Sequence, residues 1–174
     1  MAEKTTKLAE EAEIYLEKAA GILLSKKESS YGEKYKGDFL TQYRDYVGSA
    51  DNISSKREKA NAFFLTINTG FIGAEAYFEV NTIEASYIQA IVGLMFCFLW
   101  GRMIQSYKTL NGSKFDVIQL MERHLPLAPF AAEEFVQKNN GAGHRSLTSV
   151  EKYLPAVFAV LHILTVIFLA KVKG

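Results

Sequence analysis

The chain has 174 residues with 20 Lys+Arg, 19 Asp+Glu and a net charge of +1, and its mean hydropathy is +0.01. The near-neutral balance excludes the strongly basic footprint of a nucleic-acid binder, and the single cysteine, Cys97, excludes a disulfide framework within the chain. These averages hide two populations of sequence: residues 1–59 carry 11 Lys+Arg and 11 Asp+Glu, whereas three later runs are lipid-like.

The N-terminus has no apolar run that would serve as a cleaved leader. In residues 1–33, Leu8, Ala12, Tyr15, Ala19 and Ile22 recur at steps of four and three, which predicts an amphipathic, partner-facing or self-associating helix ending near Ser25–Ser30. A second helix begins near Glu33. Phe39, Tyr43, Tyr46, Ala50 and Ile53 set its stripe, and the same spacing continues through Arg57, Ala60, Phe64, Ile67, Phe71, Ala74 and Phe78 without a proline. One helix is therefore expected to pass from cytoplasm into bilayer.

The first span is placed at Ala60–Phe78 and the second at Ala85–Ile104, so that residues 34–104 form a cytoplasmic helix continued by a membrane hairpin. Ala85–Gly101 is 17 residues without a charge and apolar on every helical face, unlike an amphipathic surface helix. At about 1.5 Å per residue it covers roughly 26 Å, and Arg102 extends it by lying along apolar surface with its head in the interface. Residues 105–152 return to the cytoplasm. Helical character runs to Asn111–Gly112, resumes for a turn or two through Phe115, Ile118 and Met121, and stops at Pro126 and Pro129. A short helix at Ala131–Lys138, a loop at Asn139–Gly143 and a Thr148 or Ser149 cap lead into the third span, Tyr153–Ala170, within residues 153–174. The fold class is all-α, an integral membrane protein of three transmembrane helices with long helices extending into the cytoplasm and a small helical domain there. Basic residues set the topology: 11 precede the first span, none lies in Glu79–Glu84, and seven lie in 102–152, which places both long segments and the N-terminus inside.

The readable chemistry lies in the first span. Asn61, Asn68 and Glu75 are seven apart and make one polar stripe on a helix. Thr66, Gly70, Gly73 and Ala74 form a small-residue face for helix packing. The stripe can fasten helices or line an aqueous pore, and spacing does not separate the two. With Glu75, Glu79 and Glu84 make the outer surface acidic, as at the mouth of a cation channel, although an ordinary solvated loop has the same charge. His162 stands alone in the third span, as a neutral group bonded to a neighbouring helix or as a proton or ion site. Arg123 and Arg145, with His124 and His144, could receive a small anionic ligand. No metal spacing, cofactor motif or catalytic constellation is present, so the chain is not read as an enzyme.

Phe63–Thr69, Trp100–Asn111, Lys114–Ile118, Leu125–Phe130 and Leu147–Glu151, in that order, resemble the bacterial RipA-type octameric membrane protein family over residues 39–170. The resemblance implies a homo-oligomer in the bacterial inner (cytoplasmic) membrane, with lipid and its own copies as partners, and it supplies no catalytic residues. The plan of cytoplasmic helix, two close spans and inward helix is similar, more loosely, to SLATT-type effectors, pore formers of bacterial antiviral signalling systems. The expectation is an oligomer that forms or gates an ion pathway, as in a membrane-depolarising effector of anti-phage defence. The alternative is a non-conducting scaffold whose cytoplasmic part recruits a protein partner.

Overall fold

A computed structural model describes residues 2–77, 83–139 and 151–173, with side chains placed for 11, 13–74, 77, 85–139 and 151–171. The described residues are helical with short turns: α1 (Ala2–Leu23), α2 (Glu28–Tyr31), α3 (Tyr35–Tyr77), α4 (Ile83–Glu122), α5 (Pro129–Asn139) and α6 (Leu154–Lys173). The chain divides into two compact units, residues 1–51 with 112–141, and residues 52–111 with 142–174. The long helices α3 and α4 contribute to both.

In the first unit, α2 is a single turn closed by Gly32, whose N–H bonds to Glu28 O at 3.1 Å with φ of +92°, a backbone conformation that favours glycine. The rings of Tyr31, Tyr35, Phe39 and His124 follow one another at 5.9, 6.1 and 6.3 Å. Ala50, Ile118, Leu120 and Met121 are buried. The sequence expectation of an interruption at Asn111–Gly112 is corrected here, because α4 runs unbroken through both residues. Ile104 and Ile118, two heptads apart, keep one buried face in phase across the pair, and this packing outweighs a glycine cost of about 1 kcal/mol.

Glu122 at the end of α4 is buried and organises the turn that follows. Its carboxylate accepts the Tyr43 hydroxyl and Phe130 N–H, both at 3.1 Å, and Ala131 N–H at 3.0 Å. It thereby caps the N-terminus of α5, where Pro129 has no N–H to satisfy. Glu122→Ala leaves two backbone donors and a phenol without their acceptor, and should destabilise this unit by about 1–3 kcal/mol, read as faster proteolysis at Leu125–Ala128. Burial, and then the bond to Glu122, push the Tyr43 phenol above its ordinary value near 10. Its contribution is therefore complete below pH of about 10 and is lost as pH rises through the folded-state value.

The second unit holds α3 from residue 52, α4 to residue 111 and α6. Its centre is Phe64, Trp100 and Ile104, with Phe96, Met103, Leu154 and Phe158 packed against them. Trp100 is fully buried and stacks on Phe64 with centroids 5.9 Å apart and planes 7° from parallel. Among the described residues, two stretches are long and apolar enough to cross a membrane, Ala85–Glu122 and Leu154–Lys171. α3 is more polar because Asn61, Asn68 and Glu75 interrupt it.

Candidate functional site

The polar residues of α3 meet those of α4 and α6 in a ladder of contacts inside the second unit. At one end, Arg57 Nε lies 3.5 Å from Glu151 Oε2, both side chains being about 15% exposed. One turn further, the Trp100 indole N–H donates to Asn61 Oδ1 at 2.8 Å. Two turns beyond, all three helices converge on Asn68, which is 0% exposed. Its Nδ2 donates to Phe64 O of its own helix at 2.8 Å, so Oδ1 is left as the acceptor. That oxygen takes the Cys97 thiol at 3.2 Å from α4 and lies 3.1 Å from His162 Nε2 of α6. Still further along, the Gln89 amide of α4 donates to Phe71 O.

The Asn68 geometry fixes the state of His162. Phe64 O can only accept, which orients the amide, and the amide oxygen can only accept from His162, so the imidazole carries its proton on Nε2. The ring is 1% exposed and lies directly on Gly93. A Cβ built at Gly93 would sit 2.5 Å from Nε2 and 2.7 Å from Nδ1, and closer still to Cε1. Gly93 is thus the cradle that lets α6 approach α4.

The contacts also give the directions of the helices. Arg57 with Glu151, just before α6, and Asn68 with His162 share one offset of 94 residues, so α6 runs parallel to α3. Trp100–Asn61 and Cys97–Asn68 pair falling with rising numbers, so α4 runs antiparallel to both. The apolar part of α4 therefore lies beside residues 60–77 of α3 and beside α6.

Sequence spacing put Asn61, Asn68 and Glu75 on one stripe. Asn61 and Asn68 are engaged between helices of one protomer together with His162, whereas the Glu75, Glu79 and Glu84 side chains lie outside the described residues. Of the small-residue face, Thr66, Gly70 and Gly73 are exposed and Ala74 is half-buried, and a Cβ at Gly70 or Gly73 would meet nothing within 4 Å. Arg123 is exposed and Arg145 lies outside the described residues, as do His144 and the Thr148 or Ser149 cap. A cleft of about 510 Å³ beside His124 is lined by Glu28, Tyr35, Lys36, Phe39, Leu125 and Pro126, without Arg123. Spacing alone missed Gly93, Trp100 and the Arg57–Glu151 pair, since none shares a local periodicity with its partner. The buried tryptophan in an otherwise aliphatic and aromatic run was the available signal, because an indole N–H in hydrocarbon requires an acceptor.

The exposed surfaces of the three helices differ in kind. α4 exposes Ile88, Ile91, Met95, Phe98 and Leu99, and α6 exposes Val157, Val160, Leu164, Ile167 and Phe168. α3 exposes a strip of Ala62, Thr66, Thr69, Gly70 and Gly73, bordered by Phe63 and Leu65. Two helices thus offer large apolar side chains, and the third offers hydroxyls and bare backbone.

The model of the octameric membrane protein family (8xMP) matches residues 40–171. No curated protein and no solved structure gives a match.

Proposed function

Because this chain belongs to the octameric membrane protein family, we propose that it assembles as a closed homo-oligomer of three-span subunits that forms or gates an ion pathway in the bacterial inner membrane. The observation that carries the reading is the division of surfaces in the second unit. Large apolar side chains on α4 and α6 suit lipid, whereas the Thr66, Thr69, Gly70 and Gly73 strip suits close approach of another helix or contact with water. The α3 helices of neighbouring copies accordingly gather around the symmetry axis.

The register supports the reading of three spans. If the apolar part of α4 lies in hydrocarbon, residues 60–77 of α3 beside it lie there too, and α6 crosses in the same direction as α3. Lys59 to Tyr77 on α3, and Tyr153 just before α6 to Lys171 within it, each enclose 18 steps, or about 27 Å, close to the hydrocarbon thickness of a bilayer. The N-terminus and the first unit are then cytoplasmic, and Glu75, Glu79 and Glu84 belong to the outer end.

Eight helices packed about an axis at spacings of about 8–10 Å cannot fill the centre and leave an opening roughly 10 Å or more across. In this reading the lining comes from the threonine and glycine strip and not from Asn61, Asn68 or His162, which are engaged within the subunit. The glutamates would concentrate cations at its mouth. Opened without control, such a path would dissipate the membrane potential, as a defence effector requires.

Cysteine accessibility tests the arrangement. In a Cys97→Ala background, Thr66→Cys, Thr69→Cys and Gly70→Cys should react with a membrane-impermeant thiol reagent and thereafter reduce current in planar bilayers. Met95→Cys and Phe98→Cys should stay unreactive. Protected strip cysteines together with the absence of current would leave the non-conducting scaffold as the better account.

A further inference from the structure

The lipid-facing stripes of α4 and α6 end in cations at one height. On α4, the exposed run Ile91, Met95, Phe98 is continued at helical spacing by the exposed Arg102. On α6, the run Val160, Val157 ends at Tyr153, which is 61% exposed, and the Lys152 ammonium lies 4.8 Å from the centre of its ring. The 94-residue offset sets Lys152 level with Glu58, and the pairing of Trp100 with Asn61 sets Arg102 within about two helical turns of the same height. Neither of these two cations forms an ion pair with a described residue. Of the carboxylates that the register sets at this height, Glu58 and Glu151, the second is held by Arg57.

We propose that Arg102 and Lys152 form a docking surface for the headgroups of anionic phospholipids, whose acyl chains lie along the stripes of α4 and α6. The inference rests on the membrane reading above and goes beyond it by naming the lipid class and the residues that select it. Three features act together. The stripes are large and apolar enough to hold acyl chains, and the cations stand where those stripes end, at headgroup height. Tyr153 adds an amphipathic ring of the kind enriched at membrane interfaces. Charge complementarity then favours a headgroup with net negative charge over a zwitterion, by about fivefold for each basic residue near the surface.

The full-length oligomer in a non-ionic detergent is the material for the test, with short-chain phosphatidylglycerol and phosphatidylcholine as probes and retained lipid counted by native mass spectrometry. Phosphatidylglycerol should be retained preferentially, and Arg102→Gln and Lys152→Gln should each weaken it about fivefold. Lys26→Gln and Lys27→Gln, which remove two cations from the other unit, should leave retention unchanged. Equal retention of both lipids, equal loss in the two pairs of variants, or displacement of phosphatidylglycerol by inorganic phosphate at matched concentration would each overturn the proposal. A chain that remains monomeric in solution without detergent would overturn the membrane reading as well, whereas a detergent-dependent oligomer indifferent to headgroup overturns this inference alone.

Discussion

Gly93→Leu should prevent α6 from docking, and even Gly93→Ala should lower the thermal stability of the detergent-solubilised protein by more than the about 1–3 kcal/mol typical of overpacking. The reason is geometric: the added carbon would enter the space of the His162 imidazole, which is buried and tied to Asn68 and cannot swing away without losing that bond. Pairing Gly93→Ala with His162→Ala should restore much of the loss, because the smaller side chain vacates the contested space. Thermal unfolding of the four proteins in the cycle gives the coupling directly. Independent, additive effects would show that the ring and the glycine are not in contact.

Asn68→Leu is the second large effect, and its expected outcome separates the two roles that spacing left open. A pore-lining amide could be removed with a change in current and little change in stability. Here the amide oxygen joins Cys97 and His162, so its loss removes two bonds between helices, each worth about 0.6–2 kcal/mol in a membrane, and strands a His162 N–H. The variant should unfold at lower temperature. Asn68→Leu with His162→Leu should be more stable than Asn68→Leu alone, since replacing both partners by apolar groups removes the unsatisfied donor. Unchanged stability accompanied by altered conductance would instead place Asn68 against water.

Much of the helical plan was legible because it depends on local signals. The 3.6-residue stripe through Phe39, Tyr43, Tyr46 and Ala50 runs without interruption into Phe64 and Phe71, and α3 follows it over its whole length. The prolines at 126 and 129 mark the turn before α5 because their effect is confined to a few backbone atoms. Asn111–Gly112 misled for the complementary reason. Its turn propensity is local, but the outcome was set by the face shared by Ile104 and Ile118, which emerges only once a partner helix is present. The polar cluster was half legible: Asn61 and Asn68 announce themselves by their heptad spacing, and His162 by standing in an apolar run. That His162 and Asn68, 94 residues apart, meet at one oxygen depends on the register of α6 against α3, for which no nearby residue carries a signal. Gly93 carried even less, since a glycine in a hydrophobic segment looks the same whether a ring rests on it or not.

The parallel pairing of α6 with α3 bears on the order of events during synthesis. The hairpin of α3 and α4 leaves the ribosome first and reaches the membrane with its deepest acceptor, Asn68 Oδ1, supplied by Cys97 alone and with the hollow over Gly93 empty. Until α6 arrives, the second unit would hold two of its three helices and a vacancy shaped for one imidazole, which cellular proteases could recognise as unfinished.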